Sequence, residues 1–394
     1  MIAAAPAPER PLDQARLGRE RHERLVESMA AHGLDVLVLL GQGSVGYATG
    51  ARMPSTDQSE ALHRRAVAVV TADGSPPTVW TWAPETVPPH LGVDVRPGLN
   101  LEFDDGAWLL AGSLPSGRLA VDDATVPLWQ ALAGREPQDA AAALTAAKIA
   151  KTADELECIR RAQAINEAAI ADVEDAAAPG VAATELTGLF LARILELGAS
   201  GNTVDPVWQV MPPTIAAGPY SATGDVVFPT VTTTRRFADG DVVFVDTGMH
   251  YEGYQSDYGH TWVIGWELDG RHREHARRWL EVVDAVLEVT KPGATARDLT
   301  RAAGEVYGRR PWLAHLYLAH GTGTESAEMP YVGTDLGEDF DESLVLAPGM
   351  VLVLEPVIWE DGHGGFRAEE IVAVTDSGVE RLSNLRYDRY DVGR

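Results

Sequence analysis

Four acidic residues and one histidine constrain this chain more than any other feature. Asp246 closes the run Val242-Val243-Phe244-Val245, and Asp257 follows eleven residues later after Ser256. His320 opens His320-Gly321-Thr322-Gly323. Glu355 closes the run Met350 to Leu354 and precedes Pro356, and Glu369 stands fourteen residues further on in Arg367-Ala368-Glu369. Apolar strands seldom end in so much charge, because a buried carboxylate without compensation is strongly disfavoured. Taken singly, each residue has an ordinary explanation: an Asp after a strand caps or turns the chain, and His320 or Glu355 fits a loop or a solvated strand end. Taken together, four carboxylates and one imidazole are the donor set of a pair of hard-to-borderline divalent cations. The joint pattern predicts a metal centre.

The spacing and flanking residues of these five resemble the pita-bread metallopeptidases: methionine aminopeptidase, aminopeptidase P, prolidase and their relative creatinase. The resemblance runs over nearly the whole chain. Leu34 to Gly50, ending Tyr47-Ala48-Thr49-Gly50, is similar to the start of a creatinase-type N-terminal domain. Lys148 to Leu156 is similar to the segment that opens the catalytic domain. The resemblance implies an α+β pita-bread domain over 148–394, with a pseudo-twofold repeat, behind a smaller α/β domain over 1–147. It implies two divalent cations (Mn, Co, Fe or Zn) held by Asp246, Asp257, His320, Glu355 and Glu369. Asp257 and Glu369 would be shared between ions about 3.5–4 Å apart with a bridging hydroxide, and Glu355 would move the proton. The implied activity is hydrolysis of Xaa-Pro peptides by a cytoplasmic homodimer. The oxygen-rich shell with one imidazole favours Mn, Fe or Co over a structural zinc.

A chain of 394 residues can bury a full core in two domains. It is 45% hydrophobic, with no run near bilayer-spanning length, so a soluble protein is expected. Met1 to Pro11 lacks an apolar segment, which argues against a secretory signal. Cys158 is the single cysteine; it allows no internal disulfide and fits a reducing compartment as a buried thiol. The net charge of −26 opposes binding to nucleic acid or to anionic membranes. A small molecule or short peptide is the expected partner.

Along the chain, a helix is expected around Arg16 to His32, ending at Gly33. Strands are expected at Val36 to Leu40, Ala66 to Val70, Thr78 to Trp82 and Arg118 to Val121. The Ala-rich stretch Ala140 to Ile149 marks the domain boundary. Thr152-Ala153-Asp154-Glu155 is a capping box that starts a helix to about Ala178, with Leu156, Ile159, Ile170 and Val173 facing inward. Ala178-Pro179-Gly180-Val181-Ala182-Ala183-Thr184-Glu185-Leu186 echoes Lys291-Pro292-Gly293-Ala294-Thr295-Ala296-Arg297-Asp298-Leu299. Two such helix–turn–helix units, each followed by strands, are consistent with a duplicated domain whose halves share one cleft.

Two other motifs carry less weight. Gly41-Gln42-Gly43-Ser44-Val45-Gly46 spells a dinucleotide fingerprint, but Gly50 falls where its helix should be established, so no such helix is expected. His272-Arg273-Glu274-His275 lacks the i,i+4 histidine pair of a helical zinc site and reads as a solvated helix face. Trp208, Trp262 and Trp359 are expected to pack in the core.

The chain also departs from the peptidase pattern. Ala327 replaces the second histidine of His-Gly-x-Gly-x-x-x-His-Glu-x-Pro, Phe228-Pro229-Thr230 stands where Pro-His-Gly is usual, and Ser-Asp-x-Thr-Arg-Thr becomes Ser256-Asp257-Tyr258-Gly259-His260-Thr261. Glu355 and His320, with Tyr258, His260 and His315 as replacement acid–base groups, are the expected catalytic residues. These changes leave room for a relative that acts on a small metabolite, as in creatinase, ectoine hydrolase or a dimethylsulfoniopropionate lyase. A metal-free binding module is the third possibility.

Overall fold

Val36–Leu39, four apolar residues in succession, forms β1 of a six-stranded sheet and is buried on both faces. The structure is a computed structural model, which describes residues 11–52, 65–102, 104–211, 234–265, 268–308, 317–360, 362–385 and 387. His315 and Phe228-Pro229-Thr230 lie outside the described residues. The chain divides into two compact units, one over Leu12–Lys148 and one containing Ile149–Arg394. Among the described residues no helix is long and apolar enough to cross a membrane.

In the first unit, β2 (Val67–Thr71), β3 (Thr78–Thr81), β4 (Asp94–Pro97), β5 (Leu119–Val121) and β6 (Gln138–Asp139) complete a sheet ordered β4-β3-β2-β1-β5-β6. β1 runs antiparallel to β2 and parallel to β5. Strand alternation sends Leu37 and Leu39 into one core with Leu25 and Met29, and Val36 and Val38 into the other with Leu110 and Leu128. Each such side chain contributes about 1.5–3 kcal/mol when fully buried. The helix Gln14–His32 ends at Gly33, whose amide bonds back into the last turn.

The expectation about Gly41 to Gly46 is corrected here, because a helix does open there, over Gln42–Thr49. Its entry is held by an acid of the same unit: Asp122 accepts from the amides of Leu40 at 2.7 Å and Gly41 at 3.1 Å. A carboxylate thus meets the backbone donors that lead into this helix.

The second unit begins with the helix Ala153–Ala176, and its capping box is formed: Thr152 Oγ1 accepts from Glu155 N while Glu155 accepts from Thr152 N. The internal repeat is structural. In the first turn Gly180 N donates to Phe237 O, Phe237 N to Val181 O, and Ala183 N to Arg235 O. In the second, Gly293 N donates to Leu346 O, Leu346 N to Ala294 O, and Ala296 N to Leu344 O. Gly180 (φ 87°) and Gly293 (φ 86°) both adopt the left-handed conformation that a Cβ would strain. The two turns differ in their caps: Thr295 caps the helix Ala296–Tyr307 with its hydroxyl, whereas Ala182 occupies that place before Ala183–Glu196.

Each half then supplies strands. The first contributes β7 (Gly201–Asn202), β8 (Val207–Val210), β9 (Val242–Thr247), β10 (Met249–Tyr251), β11 (Tyr254–Gln255) and β12 (Tyr258–Val263), with a sheet ordered β12-β9-β8. The second contributes β13 (Ala319–Gly321), β14 (Glu328–Val332), β15 (Val351–Leu354), β16 (Val357–Glu360), β17 (Gly364–Arg367), β18 (Glu370–Val374) and β19 (Val379–Arg381), with a sheet ordered β14-β13-β15-β18-β19. The halves join where Glu369 N donates to Gly259 O at 3.0 Å and the Thr261 hydroxyl bridges the Arg367 backbone. Trp208 and Trp262 stack at 5.9 Å in the core of the first half, Trp359 is buried, and so is Cys158. On the helix Gly270–Val289, His275 differs from the solvated face expected of it: it is buried and pairs with Glu360 at 3.1 Å.

Candidate metal centre

Two hairpin-like corners bring the acids together. β9 delivers Asp246, and β12 returns antiparallel with Gly259 opposite Asp246. The helix Ala153–Ala176 fixes this corner from behind. Asn166 Nδ2 donates to Thr247 O at 2.9 Å and Ser256 Oγ at 3.0 Å, and Asn166 Oδ1 accepts from Thr247 Oγ1. Gln163 Oε1 accepts from Asp257 N at 3.3 Å, which places the backbone that carries the second aspartate. In the other half Glu355 N donates to Leu318 O, and buried Trp279 donates to Pro356 O at 2.7 Å, so the Glu355-Pro356 corner is held at both ends.

One oxygen each of Asp246, Asp257 and Glu369 lies within 4.8 Å of the others. His320 Nε2 is 3.4 Å from Asp257 Oδ2 and 3.5 Å from Glu355 Oε1, so all five expected ligands meet. His320 Nδ1 lies 2.9 Å from Gly321 O. A carbonyl only accepts, so Nδ1 carries a proton, and Nε2 is the ring nitrogen turned to the carboxylates, where a metal-ligating histidine would offer its lone pair. Glu369 fits because residue 259 is glycine: a Cβ there would come within 2.5 Å of the Glu369 carboxyl.

The site carries more negative charge than its protein donors answer. Arg367, buried and stacked 4.5 Å over Phe244, bonds Glu355 Oε2, reaches Glu369 Oε1 at 2.7 Å and stands 3.5 Å from Asp246 Oδ2. Burial, and then repulsion from Glu355, push Asp246 up to about 6 against the pull of Arg367. Burial pushes Asp257 well up, with Asp246 next in effect, and Glu369 well up, with Asp257 next. Glu355 Oε1 and Glu369 Oε2 are buried with no hydrogen-bond donor among the described residues. Buried carboxylate oxygens are normally satisfied; these two, converging with the imidazole Nε2 of His320, fit divalent cations.

Not every candidate residue arrives at the cluster. Gly259 and Asp246 share one face of the β9–β12 pair, so Tyr258 and His260 project from the other. Tyr258 is buried in the core of the first half, and His260 packs against Tyr258, Phe366 and Tyr387. Residues missed in the sequence do arrive. Arg367 was readable as a basic residue two before Glu369, on the same face of an extended segment. Tyr317 carried no signal: its ring meets His320 edge-on at 4.9 Å, and burial followed by Glu355 and Asp257 pushes its phenol upward. Gln163 was hidden on a helix far from the acids in sequence.

The family model "Metallopeptidase family M24" matches residues 157–376. Over 239 residues the chain is 31% identical to the Xaa-Pro dipeptidase of Pyrococcus furiosus, covering 60% of this chain and 63% of that protein, less than two thirds of its length. It is 24% identical over 401 residues to the creatinase of Bacillus sp., covering 93% and 90%. Among solved structures, the dipeptidase PepE of Mycobacterium ulcerans superposes with a TM-score of 0.72 at 26% identity, over 96% of this chain and 98% of that one. The fold is the mixed α+β pita-bread arrangement, the family brings divalent metal ions with it, and the matched segment takes in more than half of the 394 residues. This chain belongs to metallopeptidase family M24.

Proposed function

We propose that this chain is a dinuclear metal-dependent hydrolase acting on Xaa-Pro peptides. The observation that carries the reading is the convergence of Asp246, Asp257, His320, Glu355 and Glu369 with two buried oxygens left without donors. The likeness to an Xaa-Pro dipeptidase supports the substrate class proposed. In this reading the five side chains hold two cations, with Mn, Fe or Co favoured over Zn by the single imidazole among oxygens. Such ions, when bound, lower the pKa of water and polarise a carbonyl.

The chain's own groups do the rest. Arg367 anchors Glu355 through Oε2, which leaves Oε1 beside His320 to take up and return a proton. Asn166 and Gln163 keep the Asp257 corner from drifting. Tyr258 and His260 serve this reading as packing behind β12. A homodimer in the cytoplasm completes it, in line with the single buried thiol of Cys158.

The sequence departures at Ala327 and Gly259, with the likeness to creatinase over 93% of the chain, favour a second reading: cleavage of a C–N or C–S bond in a small metabolite. A panel of Xaa-Pro dipeptides offered to Mn- or Co-loaded enzyme separates the two. Release of free proline is the expected outcome. Full metal loading with no dipeptide cleaved transfers the assignment to the second reading.

A further inference from the structure

Tyr317 stands two residues before the strand that carries His320, and it is half-buried. Its ring is fixed on two sides. One side meets the His320 imidazole at 4.9 Å and 60°, and the other meets the Tyr331 ring at 5.7 Å and 33°. Tyr331 is itself anchored, donating its hydroxyl to Ala327 O at 3.0 Å. The Tyr317 phenol therefore has little rotational freedom, and the charges of Glu355 and Asp257 act on it directly. Among the described residues its hydroxyl has no hydrogen-bond partner. A donor that is rigidly placed beside the proposed metal ligands, and that takes no partner among the described residues, has the properties of a group available to what binds there.

We propose that the Tyr317 hydroxyl is the substrate-binding hydrogen-bond donor of this centre, directed at the acyl oxygen on which negative charge develops during hydrolysis. This rests on the hydrolase reading above. It assigns the polarising role to a residue on the His320 segment. A fixed donor of this kind acts mainly on the reacting state, so its loss should fall on kcat more than on KM.

The test is Tyr317→Phe in the full chain loaded with manganese, which removes one oxygen and leaves both ring contacts. Bound manganese is measured by elemental analysis, affinity for inorganic phosphate by calorimetry, and kcat and KM on an Xaa-Pro dipeptide. Manganese uptake should match the wild type, phosphate should bind about tenfold more weakly, and kcat should fall about 100-fold with KM little changed. Equal phosphate affinity in the two proteins overturns the proposal, as does a wild type that binds no phosphate. Loss of manganese by the variant also overturns it, since Tyr317 would then serve the ligands instead of the substrate. A wild type that takes up manganese and phosphate but cleaves no dipeptide removes the peptidase reading, and the phosphate comparison then decides Tyr317 alone.

Discussion

Asp122 in the N-terminal unit and Glu369 in the C-terminal unit are both carboxylates drawn away from water, yet the chain answers them differently. Asp122 takes hydrogen bonds from two successive amides, Leu40 N and Gly41 N. Burial pushes its pKa up and these donors pull it back. Glu369 has one oxygen on Arg367 and the other without a donor, and three more carboxylates crowd it. A single guanidinium faces four acids. The difference separates two uses of buried charge: where the backbone supplies the donors the acid belongs to the fold, and where it does not the acid belongs to a ligand.

The strongest test of that distinction is to neutralise one acid of the cluster. Glu369→Gln or Asp257→Asn should abolish stoichiometric metal uptake, read by elemental analysis. Turnover should fall by more than the 10- to 100-fold typical of residues that only support ligands. In metal-free protein the same substitution should raise the melting temperature, because a repelling charge has gone. A variant that remains active without metal would refute the site.

Arg367 sharpens the comparison at the next level. Arg367→Met leaves three buried carboxylates without their shared cation, and the metal-free protein should lose about 3–5 kcal/mol in urea unfolding. The loss should shrink markedly when manganese is present, since the ions supply the missing positive charge. An equal loss with and without metal would make Arg367 a structural residue only.

How far the sequence foretold this depends on whether the signal was local. Of the five proposed ligands, Asp246 and Glu355 were legible because each closes an apolar run, and a strand's period of two fixes where its last side chain points; Asp257, His320 and Glu369 were legible through the resemblance. The helix Ala153–Ala176 was legible from Thr152 and Glu155, and the repeat from its Pro-Gly turns. The helix Gln42–Thr49 was not, because Gly43 and Gly46 lower its intrinsic propensity, which burial of Val45 and Tyr47 overrides, and because Gly50 is its left-handed C-cap and not a break within it. Tyr258 and His260 were read as catalytic from nearness to Asp257 in sequence, but the strand turns them to the opposite face. Gln163 reaches the site only through tertiary packing, which no spacing rule encodes.

The smallest expected effects come from pH and from Asp122. In metal-free protein the folded pKa of Asp246 is about 6, and those of Asp257 and Glu369 are well above the usual carboxylate range. The folded state then holds more protons than the unfolded state between about pH 4 and the raised values. Stability is therefore fully present at the acid end of that window and declines as pH rises through about 6 and beyond. Metal uptake should run the other way, weakening as pH falls through the same window because protons compete for the same oxygens. Asp122→Asn keeps one carbonyl acceptor and loses the other, so it should cost about 1 kcal/mol in urea unfolding and leave manganese uptake unchanged. Its raised pKa gives Asp122 the same sign of pH dependence, so the variant should flatten the metal-free profile slightly without removing it. If Asp122→Asn instead disturbed metal loading as Glu369→Gln does, satisfied and unsatisfied acids would not be separable by their donors.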